Sequence, residues 1–313
     1  MKLVKIVAAV VVVGVLAATA AVFTAPTQTA AFLVDLKRGL GDLEKKEIIT
    51  SSGLKYVYLE AENDDAETLV LLHGFGADKD NFTESAPYLS DDFHLIVPDH
   101  IGFGESSKPE DADYTPIAQA KRLHELFTLL DLDRRIHIGG SSMGGHIAMT
   151  YAALYPAEVK SLWLLDPGGV WSSPESEMAR IIRETGVNPL TAKTPEEFRG
   201  VFDLVMSKPP FVPGFVKDEM AKKRIANFDL EQKIFAQIKA DSVEERVTGL
   251  ATPTLLVWGV EDRVLHVGAT DILEKLMPNV TTIKMEGIGH LPQLEAPKQT
   301  AADLKEFIAG LEQ

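Results

Sequence analysis

The sequence predicts an α/β fold in which a mostly parallel sheet, covered by helices on both faces, carries an inserted helical cap. From about residue 54, short apolar runs typical of strands alternate with helical stretches. Between 171 and 247 helical signals follow one another without a strand, which indicates the cap. Residues 140–144 form a glycine-flanked serine turn between a strand and a helix.

The composition is that of a globular chain with a strongly acidic balance. Its 313 residues are 45% hydrophobic and 25% charged. The net charge of -15 excludes a nucleic-acid partner, since phosphate binding requires a basic face that no segment supplies. The absence of cysteine excludes disulfides, thiolate metal sites and a cysteine nucleophile. We expect neither a metal nor a cofactor, and the sequence leaves the oligomeric state open.

The N-terminal region, residues 1–30, predicts a membrane signal. Lys2 and Lys5 precede an uncharged run from Ile6 to Phe23 that is just long enough to cross a bilayer. The length favours an uncleaved anchor, whereas the small residues up to Ala20 also fit a cleaved secretory signal. Both alternatives export the domain that follows to the periplasmic or extracellular face, either membrane-anchored or secreted.

Residues 31–53 predict an amphipathic connector. Its apolar side is formed by Phe32, Leu33, Leu36 and Leu40, and its basic side by Lys37 and Arg38.

The α/β core is predicted at 54–170 and 248–313. Strands are expected at 55–60, 68–72, 94–97, 136–138, 161–165, 254–258 and 281–284. The clearest helices are expected at 116–130, 144–155 and 297–311.

The cap, at 171–247, contains one helix start and one apolar loop. Thr194 to Glu197 is a capping box with proline at the first helical position. The prolines at 209, 210 and 213 exclude a regular helix there. The loop is either a turn packed on the core or a lid that lines an acyl site or touches the membrane. In the second case Phe211, Val212 and Phe215 are the candidate substrate-binding residues.

The turn from Gly140 to Gly144 is a candidate nucleophile elbow. Such a turn forces one serine into the open, and only Ser142 fits, because Ser141 would need a glycine where Met143 stands. Larger side chains at 140 and 144 would collide with the neighbouring strand and helix.

A catalytic serine requires a histidine to take its proton and an acid to orient that histidine. In this architecture the acid and then the histidine follow the serine, each on a loop after a later strand. Asp262 follows the strand at 254–258, and His290 follows the strand at 281–284 within a glycine-rich loop.

Both positions have rivals. Glu261 is better explained as a solvated loop charge, and Asp166, directly after the strand at 161–165, is a second possible acid. The other histidines lie in strands, in helices or in loops of a different kind, as packing or hydrogen-bonding groups: His73, His94, His100, His124, His137, His146 and His266.

The oxyanion hole requires two backbone N–H donors aimed at the developing negative charge. Met143, at the start of the helix after the nucleophile, is the first candidate. Phe75 is the second, because glycines flank it in the loop after the strand at 68–72.

Taken together, the region from 50 to 311 resembles the α/β-hydrolase superfamily. Within it, His73 to Phe82, Ser141 to His146 and Thr194 to Glu197 resemble membrane-anchored monoacylglycerol lipases and bacterial family V lipases, as does the N-terminal segment. The resemblance implies the α/β-hydrolase fold and hydrolysis of acylglycerols or similar lipid esters. It also implies Ser142, Asp262 and His290 as the triad, with Phe75 and Met143 as the oxyanion hole.

Two other functions remain open at this point. Carbon-carbon hydrolases of ring-fission products share a similar elbow and would use cationic cap residues such as Arg180 and Arg183 for their carboxylate substrates. A non-catalytic ligand-binding homologue is the other alternative, although such proteins usually lack a triad member.

Overall fold

The computed structural model describes residues 22–132 and 135–311. The predicted signal segment from Ile6 to Phe23 lies outside these ranges except for its last two residues. Among the described helices, none has the length and apolar character needed to span a bilayer.

A single eight-stranded sheet organises the described chain, in the order β1-β2-β4-β3-β5-β6-β7-β8. Strands β3 to β8 pair in parallel, and β1 and β2 add antiparallel strands at one edge. The bounds are β1 Glu44–Ile49, β2 Lys55–Ala61, β3 Glu67–Leu72, β4 Phe93–Pro98, β5 Ile136–Ser141, β6 Val159–Leu165, β7 Thr254–Gly259 and β8 Val280–Met285.

Helices connect the strands and cover the sheet. They are α1 Pro26–Gly39, α2 Pro116–Leu129, α3 Met143–Leu154, α4 Glu177–Thr185, α5 Pro195–Val205, α6 Gly214–Ala226, α7 Phe228–Lys239, α8 Glu244–Val247, α9 Ala269–Leu276, α10 Pro292–Glu295 and α11 Pro297–Leu311.

Alternate residues of the central strands enter two separate hydrophobic cores. Val70 and Leu72 of β3 pack in one core with side chains of α2 and α3. Leu69 and Leu71 pack in the other, with side chains of α11. This two-residue period is the reason that the central strands are apolar throughout, because both faces of the sheet are buried. The predicted α/β class with helices on both faces is confirmed.

The predicted connector contains a helix and an edge strand. Within α1, Arg38 is 8% exposed and binds Asp80 through Nε and Nη2, each at 2.7 Å, while Phe32, Leu36 and Leu40 are exposed. Strand β1 pairs with β2 and has an exposed, charged face. The sequence did not predict β1, because an edge strand with little burial needs no apolar run.

Helices α4 to α8 form the cap between β6 and β7. At the start of α5, Thr194 Oγ1 accepts from the N–H of Glu197 at 3.2 Å. Glu197 Oε2 in turn accepts from the N–H of Lys193 at 2.6 Å, one residue before its position in an ideal capping box. The predicted helix start at 194–197 is therefore correct.

Candidate active site

Ser142 occupies a strained turn between β5 and α3. Its φ is 54°, in the left-handed region that non-glycine residues rarely adopt. A Cβ on Gly140 would lie 2.4 Å from the carbonyl oxygen of Gly144, and a Cβ on Gly144 would lie 2.0 Å from that of Leu72. The two glycines allow the strand and helix to approach closely enough to form the elbow.

Asp262 and His290 meet in the loops that follow β7 and β8. His290 Nδ1 donates to Asp262 Oδ2 at 2.7 Å, and both side chains are buried, with 5% and 0% exposure. Asp262 Oδ1 accepts from the N–H groups of Val264 and Leu265 at 2.7 and 3.0 Å. These bonds fix the carboxylate, and a Nδ1–H donor leaves Nε2 of His290 free to accept a proton.

Asp166 lies beside this pair, immediately after β6. It is fully buried, and its Oδ1 accepts from the N–H of Gly259 at 3.0 Å. Ligand atoms of Asp166, Asp262 and His290 lie within 4.8 Å of one another. Burial and then the charge of Asp262 raise the pKa of Asp166 well above its ordinary range. Asp262, whose Oδ2 accepts from His290 Nδ1, is therefore the acid partner of the histidine.

The remaining histidines have other partners. His137 contacts Ser161 and Glu67, His94 contacts Glu60, His124 contacts Glu158, and His146 contacts Asp241. His266 Nδ1 accepts from the N–H of Gly268 at 3.0 Å. The buried rings of His73 and His100 lie 4.6 Å apart. Glu261, the other rival residue, is exposed.

The loop after β3, residues 73–77, lies against the elbow and is named here the oxyanion loop. A Cβ on Gly74 would lie 3.3 Å from Ser142 Cβ. Phe75 N–H has no hydrogen-bond partner among the described residues. Met143 is the first residue of α3, where helix geometry leaves N–H groups unpaired. The structure thus brings both predicted donors to the neighbourhood of Ser142.

His73 anchors the oxyanion loop to the core. Its Nε2 accepts from the N–H of His100 at 3.0 Å, so Nδ1 carries the proton and donates to the carbonyl of Gly74 at 2.8 Å. Burial lowers the pKa of His73, which favours this neutral tautomer. His73 is therefore part of the support of the site, as a neutral donor.

A buried lysine strengthens the same support. Lys79 is 1% exposed, and its Nζ donates to Asp99 and Glu105, each at 2.9 Å. Asp99 also accepts from the backbone N–H of Lys79 at 2.7 Å. Burial alone would raise the pKa of Glu105, but its hydrogen bonds with Lys79 and Lys45 lower that pKa to about 2. No periodic pattern marks this ion pair, so the sequence did not identify it.

Glu295 in α10 fixes the histidine loop and the cap together. It accepts from the N–H of Gly289 at 3.0 Å, and from those of Ser207 and Lys208, just after α5, at 2.8 and 2.7 Å. The N–H of His290 itself donates to the carbonyl of Val205 at 2.9 Å. Glu295 binds residues that lie 88 and 87 positions earlier in the chain, and nothing in its local sequence predicts that role.

The candidate substrate-binding residues of the cap lie in and after the proline-rich loop. Phe211 is 88% exposed, whereas Val212 and Phe215 are partly buried. Among the described residues, no hydrogen bond or ring contact joins these three to Ser142, Asp262 or His290. Phe211 is too exposed to be packed on the core, as a core-packed turn would require.

Known proteins with similar sequences and structures are lipases and related enzymes. The profile of the α/β hydrolase fold matches residues 67–297. Lipase 3 of Moraxella sp. (strain TA144) is 45% identical over 298 residues, which cover 94% of this chain and 93% of that lipase. Monoacylglycerol lipase ABHD6 of Mus musculus is 31% identical over 255 residues, with 78% and 76% coverage. A crystal structure of a membrane phospholipase A, described as a bacterial virulence factor, has a TM-score of 0.90 at 34% identity over 100% of both chains.

Proposed function

This chain belongs to the α/β-hydrolase family, and from that premise we propose that it hydrolyses lipid esters with one acyl chain through an acyl-enzyme on Ser142. Its lipase relatives, similar over most of the chain, make it a carboxylic-ester hydrolase with a lipid ester substrate. The observation that carries the proposed mechanism is the 2.7 Å bond between buried Asp262 and His290, and the strained conformation of Ser142 in its turn supports it.

The reaction proceeds in two displacements. Ser142 Oγ attacks the ester carbonyl as its proton passes to His290 Nε2, and a tetrahedral intermediate forms. Its collapse breaks the bond to the alcohol oxygen, which takes the proton from His290 and leaves. Water then attacks the acyl-enzyme by the same route and releases the fatty acid. Asp262 holds the imidazole and stabilises its charge while it is protonated.

The N–H groups of Phe75 and Met143 stabilise the negative oxygen of each intermediate. They lie on the oxyanion loop and at the start of α3, the two segments that adjoin Ser142. Preorganised donors of this kind typically contribute about 3 kcal/mol each to lowering the barrier.

Substrate enters from a membrane surface. Helix α1 exposes Phe32, Leu36 and Leu40 one turn apart, with exposed fractions of 65%, 56% and 67%. The helix packs against α6 of the cap, where Thr27 Oγ1 donates to Glu219 at 3.0 Å. This apolar face follows the predicted N-terminal anchor, which supports membrane attachment with export of the catalytic domain. A site beneath a helical cap and beside a bilayer suits a single acyl chain.

The carbon-carbon hydrolase alternative finds no support in the cap arginines. Arg180 binds Glu184 at 3.1 Å, and Arg183 binds Glu175 at 2.7 Å. Their side chains are 49% and 60% exposed, so both are neutralised on the surface and do not form a carboxylate pocket.

Substrate profiling tests the proposal. Monoacylglycerol, triacylglycerol, a diacyl phospholipid and p-nitrophenyl esters of graded chain length are supplied to the full chain, with and without detergent. We expect a preference for monoacylglycerol over triacylglycerol, and loss of all turnover in Ser142→Ala. A preference for triacylglycerol contradicts the single-chain substrate, and a preference for the diacyl phospholipid favours a phospholipase of the kind found as a structural relative. Equal rates for wild type and Ser142→Ala exclude the serine mechanism.

A further inference from the structure

Arg224, in α6 of the cap, reaches the oxyanion loop. Its Nη1 donates to the carbonyl of Gly76 at 2.8 Å, and its Nη2 donates to the carbonyl of Leu190 at 2.5 Å. Nε and Nη2 also bind the carboxylate of Glu231 in α7 at 2.8 and 2.9 Å. One guanidinium therefore joins the oxyanion loop to two helices and one loop of the cap.

The guanidinium is held rigidly. The side chains of Arg224 and Glu231 are 13% and 2% exposed, and their contact is bidentate, the geometry that restricts an arginine most. Burial raises the pKa of Glu231, and the arginine opposes that rise. A Cβ on Gly76 would lie 2.3 Å from Arg224 Cζ, so the absence of a side chain there admits the guanidinium.

Phe75 is enclosed by the same part of the cap. Its ring centroid lies 6.0 Å from Arg224 Cζ and 5.4 Å from the ring of Phe235 in α7. On the core side, the ring of Phe103 lies 5.8 Å away in an edge-to-face arrangement. The side chain of Phe75, whose N–H is the proposed oxyanion-hole donor, is thus packed between the cap and the core.

Two peptide planes connect Arg224 with that N–H. The carbonyl of Gly76, bound by Arg224, shares a plane with the N–H of Ala77, and this N–H donates to the carbonyl of Gly74 at 3.2 Å. The carbonyl of Gly74 shares its own plane with the N–H of Phe75. Because each C=O fixes the direction of the N–H across its peptide bond, holding the Gly76 carbonyl orients the Phe75 N–H.

We propose that Arg224 is a positioning residue for the oxyanion hole, acting through the Gly76–Ala77 and Gly74–Phe75 peptides. The inference rests on the proposed serine mechanism and adds a role for the cap in the chemical step. His73 holds the Gly74 carbonyl from the core side, and Arg224 completes the constraint from the cap side. The oxyanion hole is then complete only when α6 and α7 are docked on the core.

The experiment compares Arg224→Met, Arg224→Lys and Glu231→Gln with Arg199→Met in the full chain. Methionine keeps the length of the side chain without its donors, and lysine retains one donor but not the bidentate geometry. Arg199 is a matched control, because it is a cap arginine paired with Glu196 and Asp218 and its side chain is 51% exposed. We measure three properties of each variant: steady-state hydrolysis of a soluble p-nitrophenyl ester, inhibition by an alkyl trifluoromethyl ketone, and thermal unfolding.

We expect kcat of Arg224→Met to fall roughly 10- to 100-fold with little change in KM, the effect typical of small misplacements of catalytic groups. The inhibition constant of the ketone should rise in parallel with the loss in kcat/KM, since its adduct places an oxyanion in the hole. Arg224→Lys should fall between Arg224→Met and wild type, and Arg199→Met should match wild type. Glu231→Gln, which loosens the guanidinium, should lower kcat by a smaller factor.

Three results would overturn the inference. They are a kcat of folded Arg224→Met within twofold of wild type, a loss confined to KM, and an unchanged affinity for the ketone. If Arg224→Met does not fold, Arg224→Lys and Glu231→Gln are judged by the same three measurements. Failure of wild type to hydrolyse the ester, or retained activity in Ser142→Ala, contradicts instead the serine mechanism itself, so the two failures are distinguishable.

Discussion

At the scale of single residues, the site depends on steric space as much as on reactive groups. Ser142 holds a φ of 54°, and the space for this conformation comes from glycines whose Cβ positions are occupied by neighbouring backbone. Strain of this kind persists only where the surrounding structure enforces it. The glycines of the elbow are therefore as necessary to the site as the serine.

Gly144→Ala should destabilise the protein and lower its activity. The new Cβ would lie 2.0 Å from the carbonyl oxygen of Leu72, so β3 or α3 must move, at a cost of at least ~2 kcal/mol. Gly200→Ala is the control, because its Cβ meets nothing within 4 Å in α5 and should stabilise by up to ~1 kcal/mol. Urea unfolding measures both, and equal stability of the two variants would contradict the steric account.

Asp166→Asn should make stability less dependent on pH. The raised pKa of Asp166 means that the folded protein retains a proton that the unfolded chain releases above the ordinary carboxyl pKa of 3.8. The contribution of Asp166 to the free energy of unfolding is complete below that pKa. It declines as the pH rises towards the pKa of Asp166 in the folded protein. Asparagine does not titrate, so this decline is absent from Asp166→Asn. The stability of the variant relative to wild type should therefore increase from about pH 4 upward.

The measurement is thermal unfolding across a pH series, with Asp111→Asn as the control because its side chain is fully exposed. A constant difference in melting temperature between wild type and Asp166→Asn would contradict a protonated Asp166. We also expect near wild-type hydrolysis at neutral pH, since asparagine has nearly the same shape and its amide oxygen can still accept from the N–H of Gly259.

At the scale of elements, sequence reasoning was most effective where burial on both faces imposes apolar runs. The seven strands from β2 to β8 and the helices α2, α3 and α11 were predicted, most of them to within one or two residues. Strand β1 was missed because its exposed position permits charged residues. The placement of Asp262 and His290 after β7 and β8 followed from sheet order, whereas Arg224 and Glu295 act across long sequence distances that local patterns do not encode.

Glu295→Gln should weaken the connection between the histidine loop and the cap. The carboxylate accepts backbone N–H groups from both segments, and an amide offers a single neutral acceptor in its place. We expect a loss of ~1–3 kcal/mol in unfolding free energy and a lower kcat, because His290 would be held less firmly. Glu286→Gln, exposed on the same loop, is the control. Identical kcat and stability for both variants would contradict this role.

At the scale of the whole molecule, the cap and α1 lie together, and the apolar face of α1 remains uncovered. Polar contacts of this helix with the rest of the protein include those of Arg38 with Asp80 and of Thr27 with Glu219, while Phe32, Leu36 and Leu40 are exposed. This is the reverse of the usual arrangement, in which the apolar face of a surface helix packs inward. The sequence identified the amphipathic helix, but which face is buried depends on the partner Asp80, which is distant in sequence.

Replacing Phe32, Leu36 and Leu40 with serine should reduce hydrolysis of monoacylglycerol in vesicles by at least ~10-fold, because apolar contact with the bilayer is lost. Hydrolysis of a soluble p-nitrophenyl ester should be unchanged, since the three side chains are exposed to solvent. Leu129→Ser, which changes an exposed leucine in α2, is the control. Equal loss on both substrates, or no loss on vesicles, would contradict membrane contact through α1.

The central claim is that Ser142 is the nucleophile, and stoichiometric labelling with a fluorophosphonate followed by peptide mass spectrometry tests it most directly. Ser141 is the internal control, because it is the adjacent serine but is buried and bound by Gln293 Nε2 at 3.0 Å. We expect one adduct per chain, located on Ser142, retained in Ser141→Ala and absent in Ser142→Ala. An adduct that persists in Ser142→Ala, or a wild-type protein that does not label, would contradict the account.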